Sequence, residues 1–204
     1  MKTANIQKTI TSAAILPMNT EQEAWRIFIA IPIPQPIQAE LAKWCREQRN
    51  VLHFQKWVHD ADYHITLQFL GDTDVQKIKE IAQSLEKSVK GFEPFELRLA
   101  GIGTFGRKEQ PRVLWAGVQG ELDRLHALHS SVTSAMSPLG FIPEDRPYSP
   151  HVTLARKCAP EAVFHPLSAS SSVFGSWQVQ DIVIYRTKMG HKPMYEILET
   201  ISLA

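Results

Sequence analysis

Two cysteines in 204 residues, Cys45 and Cys158, are too few and too scattered for a disulfide framework or a zinc ligand set, and both read as reduced, unreactive thiols. Long apolar runs are missing too: nothing approaches the roughly 20 residues that span a bilayer. Lys2 and Lys8 are followed only by Ala13-Ala14-Ile15-Leu16, which Pro17 cuts short of the apolar segment of a signal peptide. A soluble, cytoplasmic protein is expected. Neither sign of charge dominates, with 22 Lys and Arg against 21 Asp and Glu and a net charge of +1, which excludes a general polyanion binder and makes any anion recognition local. Clustered metal ligands are also lacking. His126 and His129 share a helical spacing, but no carboxylate completes a set, so they read as an exposed helix face, and no metal or other cofactor is expected.

What the chain does contain is one tetrad written twice, His64-Ile65-Thr66-Leu67 and His151-Val152-Thr153-Leu154. In an extended strand the side chains alternate, so each tetrad sends its His and Thr to one face and its two apolar residues to the other. A single match is an ordinary half-buried strand, expected by chance at roughly 0.1; two together fall to roughly one in a few hundred. If the two strands are neighbours, two imidazoles and two hydroxyls meet over one pocket. That pocket suits a phosphate ester handled by acid and base.

Around the tetrads the pattern is of one domain's length. Residues 1–24 are rich in Thr, Asn, Gln and Ser without a period and read as a disordered N-terminal extension; residues 25–204 form the folded part. The expected order is a buried strand at Arg26 to Ile31, a helix with Ile37, Leu41 and Trp44 on one face, and a loop holding Trp57 and His59. The first tetrad strand then runs from Tyr63 to Leu70. Asp74 caps a helix with the stripe Ile78, Ile81, Leu85 and Val89; strands at Phe95 to Ile102 and Val113 to Val118 flank a basic loop, Gly103 to Lys108. A helix from about Glu121 to Met136 leads through Arg146-Pro147-Tyr148-Ser149-Pro150 to the second tetrad, a loop at Ser168 to Ser172, and final strands at Trp177 to Arg186 and Met194 to about Ile201. The order strand, helix, tetrad strand recurs. It predicts an α+β fold: two pseudo-symmetric lobes of antiparallel β-sheet with helices on the outside and the groove between them.

These residues resemble the two-histidine (2H) phosphoesterases, and among them the RNA 2′,3′-cyclic phosphodiesterases, also called 2′-5′ RNA ligases. The resemblance rests on both H-x-T-x tetrads and on four further runs. These are Arg26 to Ile31, Leu67-Gln68-Phe69-Leu70-Gly71, Val113-Leu114-Trp115-Ala116-Gly117, and Arg146 to Arg156. It covers about residues 25–200. The chain departs from the family's Leu-Tyr-x-Ser ending with Ile184-Tyr185-Arg186-Thr187.

The resemblance implies metal-independent hydrolysis of an RNA 2′,3′-cyclic phosphate end to a 2′-phosphate, with His64 as proton donor to the leaving O3′ and His151 as acceptor from water. The residues alone leave that direction open, because the motifs are nearly symmetric. An imidazole titrates near neutrality, so a pair supplies acid and base at once. Thr66 and Thr153, on the same face as their histidines, are placed to hydrogen-bond the phosphate oxygens. Arg156 is a further candidate phosphate contact, although simple alternation from His151 and Thr153 points it to the other face. Arg107, Lys108, Arg112 and Arg146 are candidates for the RNA backbone, and Tyr63, Phe105 and Tyr148 for stacking on a base. The partner is an RNA or oligonucleotide with a cyclic end, met by a monomer, with reversible 2′-5′ joining as a side activity. Two other readings stay open: a nucleotide or RNA-end binding module without turnover, and a phosphodiesterase for another small cyclic phosphate or a 2′-5′ oligonucleotide.

Overall fold

The computed structural model describes residues 23–160 and 172–203. The expectation for residues 1–22 and most of the Ser168 to Ser172 loop lie outside the described residues. The described elements are β1 (Ala24–Pro32), α1 (Gln35–Gln48), β2 (Phe54–Trp57), β3 (His64–Asp74), α2 (Ile78–Val89), β4 (Phe95–Gly106) and β5 (Pro111–Gly120). They continue with α3 (Leu122–Met136), β6 (His151–Cys158), β7 (Val173–Val179), β8 (Asp181–Thr187) and β9 (Tyr195–Ser202).

The strands form one antiparallel sheet in the order β7-β4-β5-β6-β3-β1-β8-β9, with β2 also on β6. Its two halves, β9 to β3 and β6 to β7, meet at the two tetrads, where Ile65 pairs with Val152. The pseudo-symmetric lobes are therefore halves of a single curled sheet, and their seam is the junction of the two motif strands.

One face of the sheet is mostly apolar. Ile27, Ile29 and Ile31 of β1, Ile65 and Leu67 of β3, and Val152 and Leu154 of β6 join one core with Leu41 of α1, Ile81 and Leu85 of α2, and Leu125 and Leu128 of α3. The crossover helices exchange sides: α1, which follows β1, contacts β7 of the other half, and α3, which follows β5, contacts β3. That exchange ties the halves together and leaves the opposite face free for the histidines.

Several boundaries differ from the sequence reading. The first tetrad strand runs on past Leu70 to Asp74, because Gly71 to Asp74 pair with Ile27 to Ala24 of β1. The segment around Trp57 is a strand, because Phe54, Lys56 and Trp57 pair with Cys158, Arg156 and Ala155 on the far edge of β6. The basic loop is mostly strand, since Gly103 to Gly106 continue β4 opposite β5, leaving a short turn at 107–110. The apolar run through Trp177 to Arg186 is two strands, because the chain leaves β4 after Val179 and joins β1 on the other half. Alternation alone does not reveal a strand that changes sheet position. Asp74 caps a short 3-10 turn, Val75–Lys77, and not α2 itself: its carboxylate accepts from the Gln76 N–H at 2.9 Å, and Lys77 precedes α2 without a side-chain cap. Cys45 and Cys158 are buried free thiols.

Candidate active site

His64 and His151 open their strands at the seam of the sheet, and each is clamped in the same way. The Nδ1–H of His64 donates to the carbonyl of Asp62 at 2.7 Å, and the Nδ1–H of His151 donates to the carbonyl of Ser149 at 2.7 Å. A carbonyl only accepts, so the proton must sit on Nδ1 and each Nε2 keeps the lone pair of the neutral ring. Thr66 places its hydroxyl 3.1 Å from Nε2 of His64. Thr153 occupies the matching place on β6, opposite Trp115 of β5. Opposite His151 the sheet carries Gly117, where a Cβ would press to 2.6 Å from the Ala100 carbonyl; only glycine lets β4 and β5 close up beside that ring.

Both strands break their alternation at the same point. Thr66 pairs with Ala30 and Gln68 with Ile29, so Leu67 is an extra residue in β3; Thr153 pairs with Trp115 and Ala155 with Leu114, so Leu154 is an extra residue in β6. A one-residue bulge reverses the parity of everything after it. Gln68 and Ala155 therefore turn into the buried face, and Phe69 and Arg156 come up on the histidine face. Arg156 belongs to the groove for this reason, and its charge is felt by His64, His151 and Tyr195. Phe69 holds the equivalent place on β3, 55% exposed, its ring 5.6 Å from Phe28.

The other candidates divide. Phe105 stands edge-on to His151 with ring centroids 4.9 Å apart and is 36% exposed. Tyr63 points the other way: it is buried, with its hydroxyl 3.4 Å from Cys45 Sγ, so it is core and no stacking platform. Tyr148 is a strut, donating its hydroxyl to the Thr66 carbonyl at 3.1 Å while its ring stacks on His129 at 3.9 Å. His126 stands edge-on to the same ring, so the two imidazoles of α3 grip Tyr148 and are more than a solvated face. Arg107, Lys108 and Arg112 are exposed at the β4–β5 turn, and Arg146 is exposed and paired with Glu144 at 2.6 Å.

Known proteins carry the same frame. The family model described as LigT like phosphoesterase matches residues 31–115 and 117–195. The chain belongs to that family. It is 39% identical over 181 residues to the RNA 2′,3′-cyclic phosphodiesterase of Geobacillus stearothermophilus, covering 86% of this chain and 56% of that protein, so it spans little more than half of that relative's length. It is 36% identical over 169 residues to the RNA 2′,3′-cyclic phosphodiesterase of Bacillus subtilis (strain 168), covering 83% of this chain and 91% of that one. The crystal structure of Escherichia coli LigT in apo form superimposes with a TM-score of 0.70 at 26% identity, over 89% of this chain and 99% of that one.

In this LigT-like phosphoesterase the electrostatics separate the two rings. Burial pushes His64 down to about 4, against which the Asp62 carbonyl bond and the Asp62 charge pull upward; Arg156 and His151 add to the lowering. His151 is lowered as well, by burial and then by Arg156. Burial is the leading cause at both rings, and in each it disfavours the charged imidazole. Around His64 stand aromatic residues that sequence reading missed: Phe28 at 4.9 Å, Tyr195 at 5.1 Å and Tyr185 at 5.8 Å between ring centroids. With Ala30 and Val183 these form a second apolar cluster on the histidine face. The alternation of Phe28 and Ala30 against Ile27, Ile29 and Ile31 carried that signal, but as a uniformly apolar strand it read simply as buried. Among the described residues no group of three or more His, Cys, Asp or Glu is disposed to hold a metal ion. No described helix is long and apolar enough to cross a membrane.

Proposed function

We propose that this chain hydrolyses the 2′,3′-cyclic phosphate at an RNA or oligonucleotide end to a 2′-phosphomonoester and a 3′-hydroxyl, with His64 and His151 as acid and base. The observation that carries the reading is the matched pair of clamps: two rings at the seam of one sheet, each with Nδ1 tied to a carbonyl, so that Nε2 is the nitrogen left for proton transfer. Nε2 of His151 takes a proton from water as its oxygen bonds to phosphorus. The P–O3′ bond breaks, and O3′ takes the proton held on Nε2 of His64. The Thr66 and Thr153 hydroxyls and the Arg156 guanidinium hold the non-bridging oxygens, whose charge grows in the transition state.

Burial disfavours the charged form of His64, and the ring takes up from solvent the proton it later delivers as the substrate binds. A phosphodiester anion beside Nε2 favours the imidazolium and offsets both the burial and the Arg156 charge. The bell-shaped dependence of rate on pH then reports a pair of coupled rings. The exposed Phe69, Phe105 and the cations of the β4–β5 turn form the rim along which the RNA strand lies. The enzyme acts as a monomer in the cytoplasm, and the same site run backward joins 2′-5′ ends.

The reading is tested by incubating the purified protein, with a chelator present, with an RNA ending in a 2′,3′-cyclic phosphate. Turnover to a 2′-phosphate, lost in folded His64→Ala and His151→Ala, is the expected result. A 3′-phosphate product would reverse the roles of the rings. Chelator-sensitive turnover, or turnover surviving both replacements, would refute the chemistry, and tight binding of the RNA end without turnover would leave a binding module.

A further inference from the structure

The two motifs match from the histidine onward, and they differ two residues earlier, where Ser149 precedes His151 and Asp62 precedes His64. Both residues give a backbone carbonyl to the ring that follows. The Asp62 side chain is committed as well. It is 6% exposed, and its carboxylate accepts from the Met194 N–H at 2.9 and 3.0 Å and from the Tyr195 N–H at 3.0 Å, partners 132 and 133 positions along the chain. Tyr195 in turn lays its ring edge-on against His64. One residue thus holds His64 from two sides, through its carbonyl on Nδ1 and through the backbone that carries the neighbouring ring.

We propose that Asp62 is a positioning residue that makes His64, and not its twin His151, the ring that delivers the proton to the leaving oxygen. The inference rests on the phosphodiesterase reading above and supplies the source of its direction. The groups facing His64 are Phe28 of β1, Thr66 of β3, Arg156 and His151 of β6, Tyr185 of β8, Tyr195 of β9, and Asp62 itself. Of these, Arg156 and His151 oppose a charged imidazole at His64, and Asp62 favours it by carbonyl and by charge. Ser149 gives His151 a carbonyl and no charge, leaving Arg156 opposed by nothing ionic among the causes acting on that ring. In the open groove burial weighs most heavily on His64. A bound phosphate ester covers both rings, so the difference in burial fades while the difference in charge remains.

The test is Asp62→Asn, which keeps the backbone carbonyl and nearly the same volume, removes the charge, and turns one acceptor into a donor facing the Met194 and Tyr195 N–H groups. Both rings are followed by NMR titration in saturating sulfate, a tetrahedral anion whose charge is constant across the range. The midpoint of His64 should fall by about one pH unit, as expected on losing an opposite charge that acts on the ring, while that of His151 stays in place. Turnover at neutral pH should fall about tenfold with KM little changed. An unmoved His64 midpoint, with hydrogen-exchange protection lost at Met194 and Tyr195, would make Asp62 a hairpin pin and overturn the proposal. The unmutated chain gives a second test that no folding defect can spoil. The carboxylate ¹³C signal of Asp62 should move at the midpoint of His64 and not at that of His151, and a signal that follows neither ring overturns the proposal too. Neither NMR reading needs turnover, so a chain that shows both yet cleaves no cyclic phosphate would refute the phosphodiesterase reading while supporting the grip of Asp62 on His64.

Discussion

The half of the sheet that carries His64 is closed and aromatic, and the half that carries His151 is open and cationic. His64 lies among Phe28, Tyr185 and Tyr195, with the buried Asp62 behind it. His151 faces the edge of Phe105 and the guanidinium of Arg156. The bulge that follows each motif makes the contrast sharpest, lifting Phe69 into the groove on one side and Arg156 on the other. Identical clamps in different surroundings teach that whatever distinguishes the two rings resides in the neighbours of the two tetrads. Ring chemistry is duplicated, and its environment is not.

Replacing either ring removes one half of the pair. His64→Ala and His151→Ala should each lower kcat by about 10²- to 10⁴-fold, the range for losing a positioned acid or base, with circular dichroism unchanged. Arg156→Ala should lower kcat/KM by roughly 10- to 100-fold, since a hydrogen bond to a charged phosphate is worth about 1.5–3 kcal/mol. Because Arg156 lowers both histidines, the same variant should raise both imidazole midpoints, an effect that a mere loss of packing would not produce. Thr66→Val and Thr153→Val should each cost about tenfold in kcat, one hydrogen bond's worth of transition-state stabilisation. A larger loss at one of the two would show which half carries more of the developing charge.

A subtler difference concerns stability. His64 is held near 4 in the folded chain, well below the ordinary value near 6.5 of an unfolded one, so between these the unfolded state binds more protons. Stability is fully present above about 6.5 and is lost as the pH falls toward 4. His64→Gln should flatten that slope in denaturant melts across the window, whereas an unchanged slope would locate the acid sensitivity elsewhere. The smallest effect belongs to Tyr148→Phe, which removes the hydroxyl that ties the approach to His151 to the Thr66 carbonyl. It should cost about 1 kcal/mol of stability and at most a few-fold in rate.

The site was legible where it depends on alternation along one strand. Each His and Thr lies two apart on an unbroken stretch, so their common face followed from the letters alone, as did the apolar anchors Ile65, Leu67, Val152 and Leu154. What depends on a partner strand was not. The parity that pointed Arg156 away is correct up to Thr153, and only pairing with β5 shows that Leu154 is an extra residue. Asp62 reads as a loop residue, because the N–H groups it binds are far along the chain. Tyr63 reads as a surface ring beside the motif, yet Cys45 on α1 receives its hydroxyl in the interior. The helix faces were legible from their stripes, but the exchange of α1 and α3 between the halves is a tertiary property that no local period encodes.

His64 and His151 are expected to serve a single phosphate. Titrating the chain with inorganic phosphate while recording both imidazole rings by NMR tests it directly. One phosphate per chain should shift the two rings together along a single binding curve. Two curves with different midpoints, or a response confined to one ring, would contradict it.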